Sequence, residues 1–209
     1  MPSSAPSLKA RPSGAAASAP VQAAGERTDP QLVEASLGGD QAAFAELVQR
    51  YQRKAFWIAF HTLGRVEDAR DVVQDAFLRV YRSLDKYDYA RNFYTWFYRI
   101  VMNLSIDALR KVRSARLTQV EDFGEVFAAP EDLVGSPIEQ REQRQLVWQV
   151  LEQMDVKFKS VLVLRDIHGM SSRDIAPILK VTHATVRWRL HRGRQIFRDH
   201  WERLAKQWA

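Results

Sequence analysis

Cysteine is absent from the 209 residues of this chain. Its absence excludes disulfide frameworks, thiolate zinc sites and cysteine nucleophiles, and it fits a protein of the reducing cytoplasm. Long apolar runs are also missing, since no stretch approaches the roughly 18 residues that a membrane-spanning helix requires. We therefore expect a soluble, cytoplasmic chain that is not inserted in a membrane.

The patterns that mark catalytic or cofactor sites are missing as well. The 5 histidines show no metal-ligand spacing, so no metal site is predicted. The sequence contains neither a convincing phosphate-binding loop nor a catalytic triad. These absences indicate a protein that is not an enzyme and that takes no cofactor and no small-molecule substrate.

The chain does contain enough apolar material for a core and a modest excess of positive charge. Hydrophobic residues make up 46% of it, which suits one ordinary domain or two small ones. Lysine and arginine number 31 against 25 acids, and the net charge of +6 favours a polyanionic partner. Residues 1–27 are rich in alanine, serine and proline and have few bulky apolar side chains, so we expect a disordered tail there and not an export signal.

From Asp29 onward, apolar residues recur at spacings of three and four, which predicts an all-α fold. The first apolar stripe runs from Phe44 to Ala59, with Asp40 placed to cap the helix and Gly64 placed to end it. This pattern predicts a long amphipathic helix packed on a core.

Two further stripes follow. The second covers residues 69–84 and counts Tyr81 among its apolar members, while polar side chains fall on or near the other face: Asp68, Asp71, Gln74, Asp75 and Arg82. After a loop over residues 85–92, the third stripe covers residues 93–108. It contains Trp96 and Phe97, for which core packing is favoured over base stacking, and it ends in a basic run: Arg110, Lys111, Arg113 and Arg116.

The character of the sequence changes between residues 117 and 140, where prolines and glycine recur. This stretch holds six acidic residues and no lysine or arginine. It is typical of a flexible linker and marks a domain boundary. We predict two small helical domains, residues 28–116 and 138–209, joined by an acidic linker over residues 117–137.

The clearest motif lies near the C-terminus, where the spacing predicts two short helices that form a helix-turn-helix. Ser171 and Asp174 are placed to start the first helix, Lys180 to Thr182 form the turn, and Thr182 caps the second helix. The second helix is dense in side chains that can contact bases or phosphates: Thr185, Arg187, Trp188, Arg189, His191, Arg192 and Arg194. A solvated basic face is the alternative interpretation.

The N-terminal half carries a resemblance that distinguishes between kinds of DNA-binding protein. The segments Glu67–Phe77 and Phe93–Arg110 resemble region 2 of extracytoplasmic-function sigma factors, and Leu164–Arg194 resembles region 4 of the same family. The resemblance implies a two-domain sigma factor that directs bacterial RNA polymerase to promoters. A stand-alone helix-turn-helix repressor or activator is the competing hypothesis, since it would need only the C-terminal module and a dimer interface.

The resemblance also implies partners and contact residues. The partners are promoter DNA, the clamp of the largest polymerase subunit, the flap of the second largest subunit and an anti-sigma factor. The residues that it implies for binding core polymerase are Asp68, Asp71, Gln74 and Asp75. The resemblance also implies contacts to the minus-10 element, with a pocket for a flipped base. The residues are Lys86, Tyr87, Asp88, Tyr89, Ala90, Arg99, Asn103, Arg110, Lys111 and Arg113. The minus-35 element is read by the second helix of the helix-turn-helix.

The sequence departs from the family pattern in two places. Residues 182–186 read Thr-His-Ala-Thr-Val where the family usually has Pro-x-Gly-Thr-Val, and Pro177 stands where the preceding helix normally continues. A proline inside a helix costs about 3 kcal/mol unless the helix kinks or starts late. Both departures bear on promoter preference and not on DNA binding as such.

Overall fold

The structure is a computed structural model that describes residues 27–118 and 138–208, with side chains for residues 27–111 and 146–206. Within these ranges the secondary structure is helical and contains no strand, which confirms the all-α prediction. The predicted tail up to residue 26 and most of the predicted acidic linker lie outside the described residues. No helix of the described ranges is long and apolar enough to cross a bilayer.

Four helices make up the N-terminal group: α1 (Asp29–Leu37), α2 (Gln41–Leu63), α3 (Val66–Arg82) and α4 (Phe93–Thr118). The Asp40 side chain accepts from the Ala43 backbone N–H at the start of α2, and Gly64 ends that helix with a φ of 84°. Both were predicted, because cap and stop depend only on local geometry. A short 3-10 turn, Leu84–Lys86, opens the segment that was predicted as loop.

The core of this group lies where α2, α3 and α4 meet. Tyr51 of α2 is fully buried and packs its ring against Phe93 and Phe97 of α4, with ring centroids 5.1 and 5.8 Å apart. Each such buried side chain contributes about 1.5–3 kcal/mol through the apolar area removed from water. The Tyr51 hydroxyl donates to the buried Asp29 carboxylate, which the Arg50 guanidinium also binds at 2.6 Å. This network fastens α1 to α2.

The C-terminal group contains α5 (Ile138–Gln153), α6 (Val156–Leu162), a π-helical turn (Val163–Ile167), α7 (Ser172–Ile178) and α8 (His183–Trp208). Ser171 caps α7, and Thr182 caps α8 by accepting from the Thr185 backbone N–H at 3.1 Å. Both caps agree with the helix-turn-helix prediction.

The prediction of two short helices is wrong for α8, which has 26 residues. The apolar stripe continues beyond the motif, and Phe197 and Trp201 are buried while their rings stack at 6.1 Å. Since α8 also packs against α5, its C-terminal half is needed to close the core of this group.

Pro177 is accommodated without loss of α7. It lies one residue before the helix ends and its side chain is exposed. In a helix of 7 residues the missing N–H removes one hydrogen bond of the last turn only. The chain then turns at Lys180, whose φ is 52°.

The two helical groups pack against each other. Helix α7 contacts α4, and the π-helical turn contacts α2. The sequence pattern predicts two domains on a flexible linker and contains no signal for this contact.

Candidate nucleic-acid and partner interfaces

The outer face of α3 presents an acidic, amide-bearing surface. Asp71, Gln74 and Asp75 are all exposed, because they alternate with the buried positions Val72 and Ala76 on a helix of 3.6 residues per turn. Asp68 differs from them, since it is half-buried and lies 3.8 Å from the Arg65 guanidinium. Three of the four predicted core-binding residues are therefore free to meet a partner helix.

An apolar groove of about 660 Å³ lies beside this acidic face, between α2 and α3. Gln74 belongs to both. The groove has an apolar floor and a polar rim, and its lining includes Phe44, Val48, Phe56, Trp57, Val73, Leu78 and Tyr81, with Arg53 and Arg70 at the rim.

Two of its exposed side chains are not marked as exposed by the sequence pattern. Leu78 and Tyr81 are 45% and 56% exposed, although Tyr81 was predicted to belong to the buried stripe. Position 81 lies seven residues after Gln74, which is two helical turns, so the same periodicity that marks the acidic face places Tyr81 on it.

The loop predicted to contact the minus-10 element is held from beneath by Tyr87. This side chain is 6% exposed, donates from its hydroxyl to the Arg91 carbonyl at 2.6 Å, and packs its ring 5.5 Å from that of Trp96. Burial raises the pKa of Tyr87 to about 12. Tyr87 thus shapes the loop, whereas Lys86, Tyr89 and Ala90 face solvent.

The Asp88 carboxylate forms its contacts within the loop itself. Asp88 accepts from the Ala90 backbone N–H at 3.0 Å and binds the Arg91 guanidinium at 3.0 Å. This closed turn leaves Tyr89 exposed, and the Arg91 guanidinium partly offsets the negative charge of Asp88.

Asn103 is exposed on α4, two turns beyond Trp96 on the same face. The loop packs against Trp96, so Asn103 lies about 10 Å farther along the helix axis at 1.5 Å per residue. Half-buried Arg99 lies between them, and exposed Arg110 and Lys111 continue the helix. The side chain of Arg113 lies outside the described residues.

The two aromatic residues at the start of α4 have different surroundings. Phe97 is fully buried, in agreement with the core packing that the sequence favoured. Trp96 is half-buried between the rings of Tyr87 and Phe93. It therefore joins the loop to the helix that carries Asn103.

On α8 the buried stripe determines which side chains face outward. Val186, Leu190 and Gly193 are buried against the rest of the group. Gly193 sits closely on α6, since a Cβ there would meet Leu162 at 3.4 Å. The outward positions are occupied by Arg187, Trp188, His191 and Arg192, while Arg189 and Thr185 are half-buried at the flanks.

Arg194 stands apart from the other arginines of α8. Its guanidinium binds the Asp166 carboxylate at 2.6 and 3.0 Å, and the side chain of Asp166 is 1% exposed. These hydrogen bonds raise the pKa of Arg194. Arg194 therefore fastens α8 to the π-helical turn, and its charge is largely offset by Asp166.

A polar groove of about 430 Å³ runs along the exposed side of α8. It is lined by Arg165, Ser172, Arg187, Leu190, His191, Arg194, Gln195 and Arg198. Arg165, Ser172 and Arg198 were missed. Arg198 could have been found, because positions 187, 191, 194 and 198 follow the spacing of a single helix face. Arg165 and Ser172 come from other elements and meet α8 only in the folded chain.

No group of three metal-ligating side chains occurs in the part of the chain that the structure describes. The exposed side chains of the loop, α4 and α8 include arginines, an amide and aromatic rings, which are groups that can contact phosphates and bases.

Comparison with known proteins agrees with this arrangement. The family description "Sigma-70 region 2" matches residues 47–115, and "Sigma-70, region 4" matches residues 144–196. The ECF RNA polymerase sigma factor SigW of Bacillus subtilis is 36% identical over 171 residues, which cover 77% of this chain and 89% of SigW.

Two solved structures share the fold. CnrH, solved in complex with the cytosolic domain of CnrY, is 27% identical with a TM-score of 0.59 and covers 81% of this chain and 94% of its own. The sigma factor RpoE of Bartonella quintana, solved with the anti-sigma factor NepR, has a TM-score of 0.62 at 20% identity over 75% of this chain and 95% of its own. The chain belongs to the extracytoplasmic-function group of sigma-70 family RNA polymerase sigma factors.

Proposed function

We propose that this cytoplasmic chain binds core RNA polymerase and directs it to promoters by reading the minus-10 and minus-35 elements. Residues 28–116 form the polymerase-binding and minus-10 domain, and residues 138–209 form the minus-35 domain. Catalysis belongs to the polymerase. The observation that carries the proposal is the presence, in one chain of this family, of an acidic α3 face beside an apolar groove and of a separate arginine-lined helix-turn-helix.

In this proposal the clamp of the largest polymerase subunit binds the α3 surface. Exposed Asp71, Gln74 and Asp75 pair with basic side chains of the clamp, and exposed Tyr81 and Leu78 meet its apolar side chains at the groove. The charged rim orients the partner, and the apolar patch supplies area that is buried on binding.

For the minus-10 element, the proposal assigns the flipped base to a pocket between Asn103 and the tip of the loop, with Trp96 as its side wall. The side chain of Asn103 offers a donor and an acceptor to a base edge. Trp96, against which the loop packs, lies about two helical turns before Asn103 on the same face of α4. Arg99, Arg110 and Lys111 contact phosphates.

For the minus-35 element, Arg187, His191 and Arg192 face the major groove from α8. Arg165, Ser172 and Arg198 flank the helix and contact phosphates. Each phosphate contact adds a salt-sensitive contribution that does not depend on sequence.

The same domain is proposed to bind the flap of the second largest subunit. We also propose that an anti-sigma protein controls the chain, by analogy with the Bartonella quintana sigma factor that was solved with one.

Permanganate footprinting with core polymerase tests the proposal. The wild-type protein should make thymines near the start site reactive, whereas a stand-alone repressor would bind duplex DNA without opening it. Asn103→Ala should retain core binding and lose most of the open complex, since base flipping costs a few kcal/mol that the pocket must offset. No melting by the wild-type protein would rule out the proposed function, and wild-type reactivity in the variant would remove Asn103 from the pocket.

A further inference from the structure

An indole ring is exposed on the outward face of α8, among side chains that are mostly cationic. Trp188 is 58% exposed, which is the largest exposed fraction among the large apolar side chains that the structure describes. Leu78 and Tyr81 belong to the groove beside α3, and Tyr89 belongs to the loop before α4. A large aromatic ring that is left in water forgoes the favourable free energy of burial, so its exposure indicates a partner.

Trp188 is supported from one side by α6. Its ring lies 5.9 Å from that of Phe158, at an interplanar angle of 50°, and Phe158 is only 8% exposed. The Lys157 ammonium lies 5.0 Å from the centre of the same Phe158 ring. The contact with Phe158 restricts the indole and leaves its other side in solvent. A side chain that is ordered in this way loses less conformational entropy when it binds.

Ala184 extends the apolar surface toward the start of α8. It is exposed and precedes Trp188 by one helical turn, so the two side chains lie on the same face. Its methyl group stands where the family usually has glycine. In a helix-turn-helix, the N-terminal residues of the second helix are those that contact base edges. Ala184 and Trp188 therefore form a short apolar strip at the end of α8 that enters the major groove.

The surroundings of this strip indicate DNA as its partner. Arg187, His191 and Arg192 are exposed on the outward side of the same helix, where the guanidinium groups can meet phosphates on either side of a base pair. Bases in a duplex are stacked, so a side chain in the major groove reaches only their edges. The apolar group on those edges is the 5-methyl group of thymine.

We propose that Trp188 is a specificity-determining residue for the minus-35 element, where its indole packs against the 5-methyl group of a thymine. Ala184 extends the contact toward the neighbouring base pair, and Phe158 positions the indole. This inference rests on the proposed function, which assigns α8 to the minus-35 duplex. It adds a preference that the arginines do not supply, because a guanidinium favours guanine.

Replacement of thymine by deoxyuracil tests the contact, because the two bases differ only in the methyl group. The full chain with core polymerase first selects duplexes from a promoter pool whose minus-35 segment is randomised, and at least one thymine should be enriched. Each enriched thymine is then replaced by deoxyuracil, and the affinity is measured by fluorescence anisotropy. The wild type should bind about fourfold more weakly at one position, which is the ratio expected for one buried methyl group.

Variants of α8 identify the side chain that is responsible. Trp188→Ser should weaken binding of the thymine duplex about tenfold and should bind the thymine and deoxyuracil duplexes equally. Trp188→Phe keeps an apolar ring and should retain most of the discrimination. Arg192→Ala is the matched control, since it should weaken binding of both duplexes by the same factor. All three positions changed are exposed, so circular dichroism should remain helical.

The outcomes separate this inference from the proposed function. A pool without any enrichment in the minus-35 segment would refute the assignment of α8 to that element, and the inference with it. An enriched sequence without thymine, or equal wild-type binding of both duplexes, would overturn the methyl contact alone. Trp188→Ser would also overturn it by preserving the fourfold ratio, or by binding duplex normally while it binds core polymerase more weakly, which would assign the indole to a protein contact.

Discussion

At the scale of single residues, the arginines of α8 divide into two kinds that composition does not distinguish. Arg187 and Arg192 are exposed, and Arg192 bonds only the neutral Gln195 among the contacts described, at 3.2 Å. Arg194 is bound by a carboxylate that is almost fully buried. The first kind is available to DNA, whereas the second stabilises the fold.

Replacement of these arginines should therefore affect two different quantities, DNA affinity and stability. Arg187→Ala should weaken binding of the minus-35 duplex by about 1–3 kcal/mol and relax its sequence preference, if the guanidinium binds a base. Arg194→Ala should lower the free energy of unfolding by about 1–3 kcal/mol, because Asp166 would lose its partner in a buried position. Thermal unfolding and fluorescence anisotropy measure the two quantities.

Arg192→Ala is the matched control, since it removes the same charge two positions away without leaving a buried carboxylate. It should change duplex affinity and not the unfolding midpoint. An Arg194→Ala protein with wild-type stability and the binding defect of Arg187→Ala would show that Arg194 acts on DNA.

At the scale of elements, α3 combines a buried face, an acidic face and one wall of the apolar groove. The double variant Asp71→Arg, Asp75→Arg should weaken core polymerase binding at least about tenfold, because repulsion replaces pairing with basic clamp side chains. Both positions are exposed, so circular dichroism should remain helical. Titration of labelled protein with core enzyme provides the affinity.

Glu34→Arg reverses an exposed charge on α1 and serves as the control for net charge. Its affinity for core enzyme should equal that of the wild type. If the α3 double variant also binds normally while it remains helical, the acidic face does not contact the clamp.

The groove wall of α3 can be tested on its own. Tyr81→Ala should weaken core binding about tenfold, since an aromatic side chain that becomes buried on binding contributes about 1.5–3 kcal/mol. Because Tyr81 is 56% exposed in the free chain, the stability of the protein should change little. Normal core binding by this variant would show that the groove is not part of the surface that binds the clamp.

At the scale of the whole molecule, the docking of the two helical groups against each other should be sensitive to acid. Their contact contains a histidine pair, since His61 of α2 lies with its Nδ1 2.9 Å from Nε2 of His168, just after the π-helical turn. Burial lowers the pKa of His61 to about 4 and that of His168 to about 3. The nearby cations Lys159 and Lys54 act in the same direction, and Asp174 faces Lys54 from α7. The docked state therefore excludes protons that the separated domains bind with a pKa near 6.5.

Docking should thus be fully present above about pH 7 and should weaken as the pH falls from about 6.5 toward 4. At pH 5.5 each histidine favours separation by about tenfold, so the pair gives about a hundredfold shift. Fluorescence transfer between dyes at Glu34→Cys and Glu202→Cys, two exposed positions in a chain without cysteine, measures it from pH 8 to pH 5. The double variant His61→Gln, His168→Gln should flatten the profile, while His200→Gln should not. A flat wild-type profile would contradict the assignment of these pKa values to the interface.

The parts of the fold that were predictable share a local origin. The caps Asp40 and Thr182 and the stop at Gly64 depend on residues within one helical turn of each other. The outward face of α8 follows from the periodicity of its buried residues. Tyr81 was misassigned because its aromatic character favoured the core, whereas its spacing of seven residues from Gln74 places it at the groove.

What the sequence by itself determined is the all-α character of the chain, the helix-turn-helix, the outward acidic positions of α3 and the family, since each is specified by neighbours along the chain. What only the tertiary structure decided are the pairings across it. Arg194 meets Asp166 from 28 positions away, and His61 meets His168 from 107 positions away. Such contacts depend on how helices pack and have no period in the sequence, so the division of the arginines and the docking of the two domains emerge only when the chain has folded.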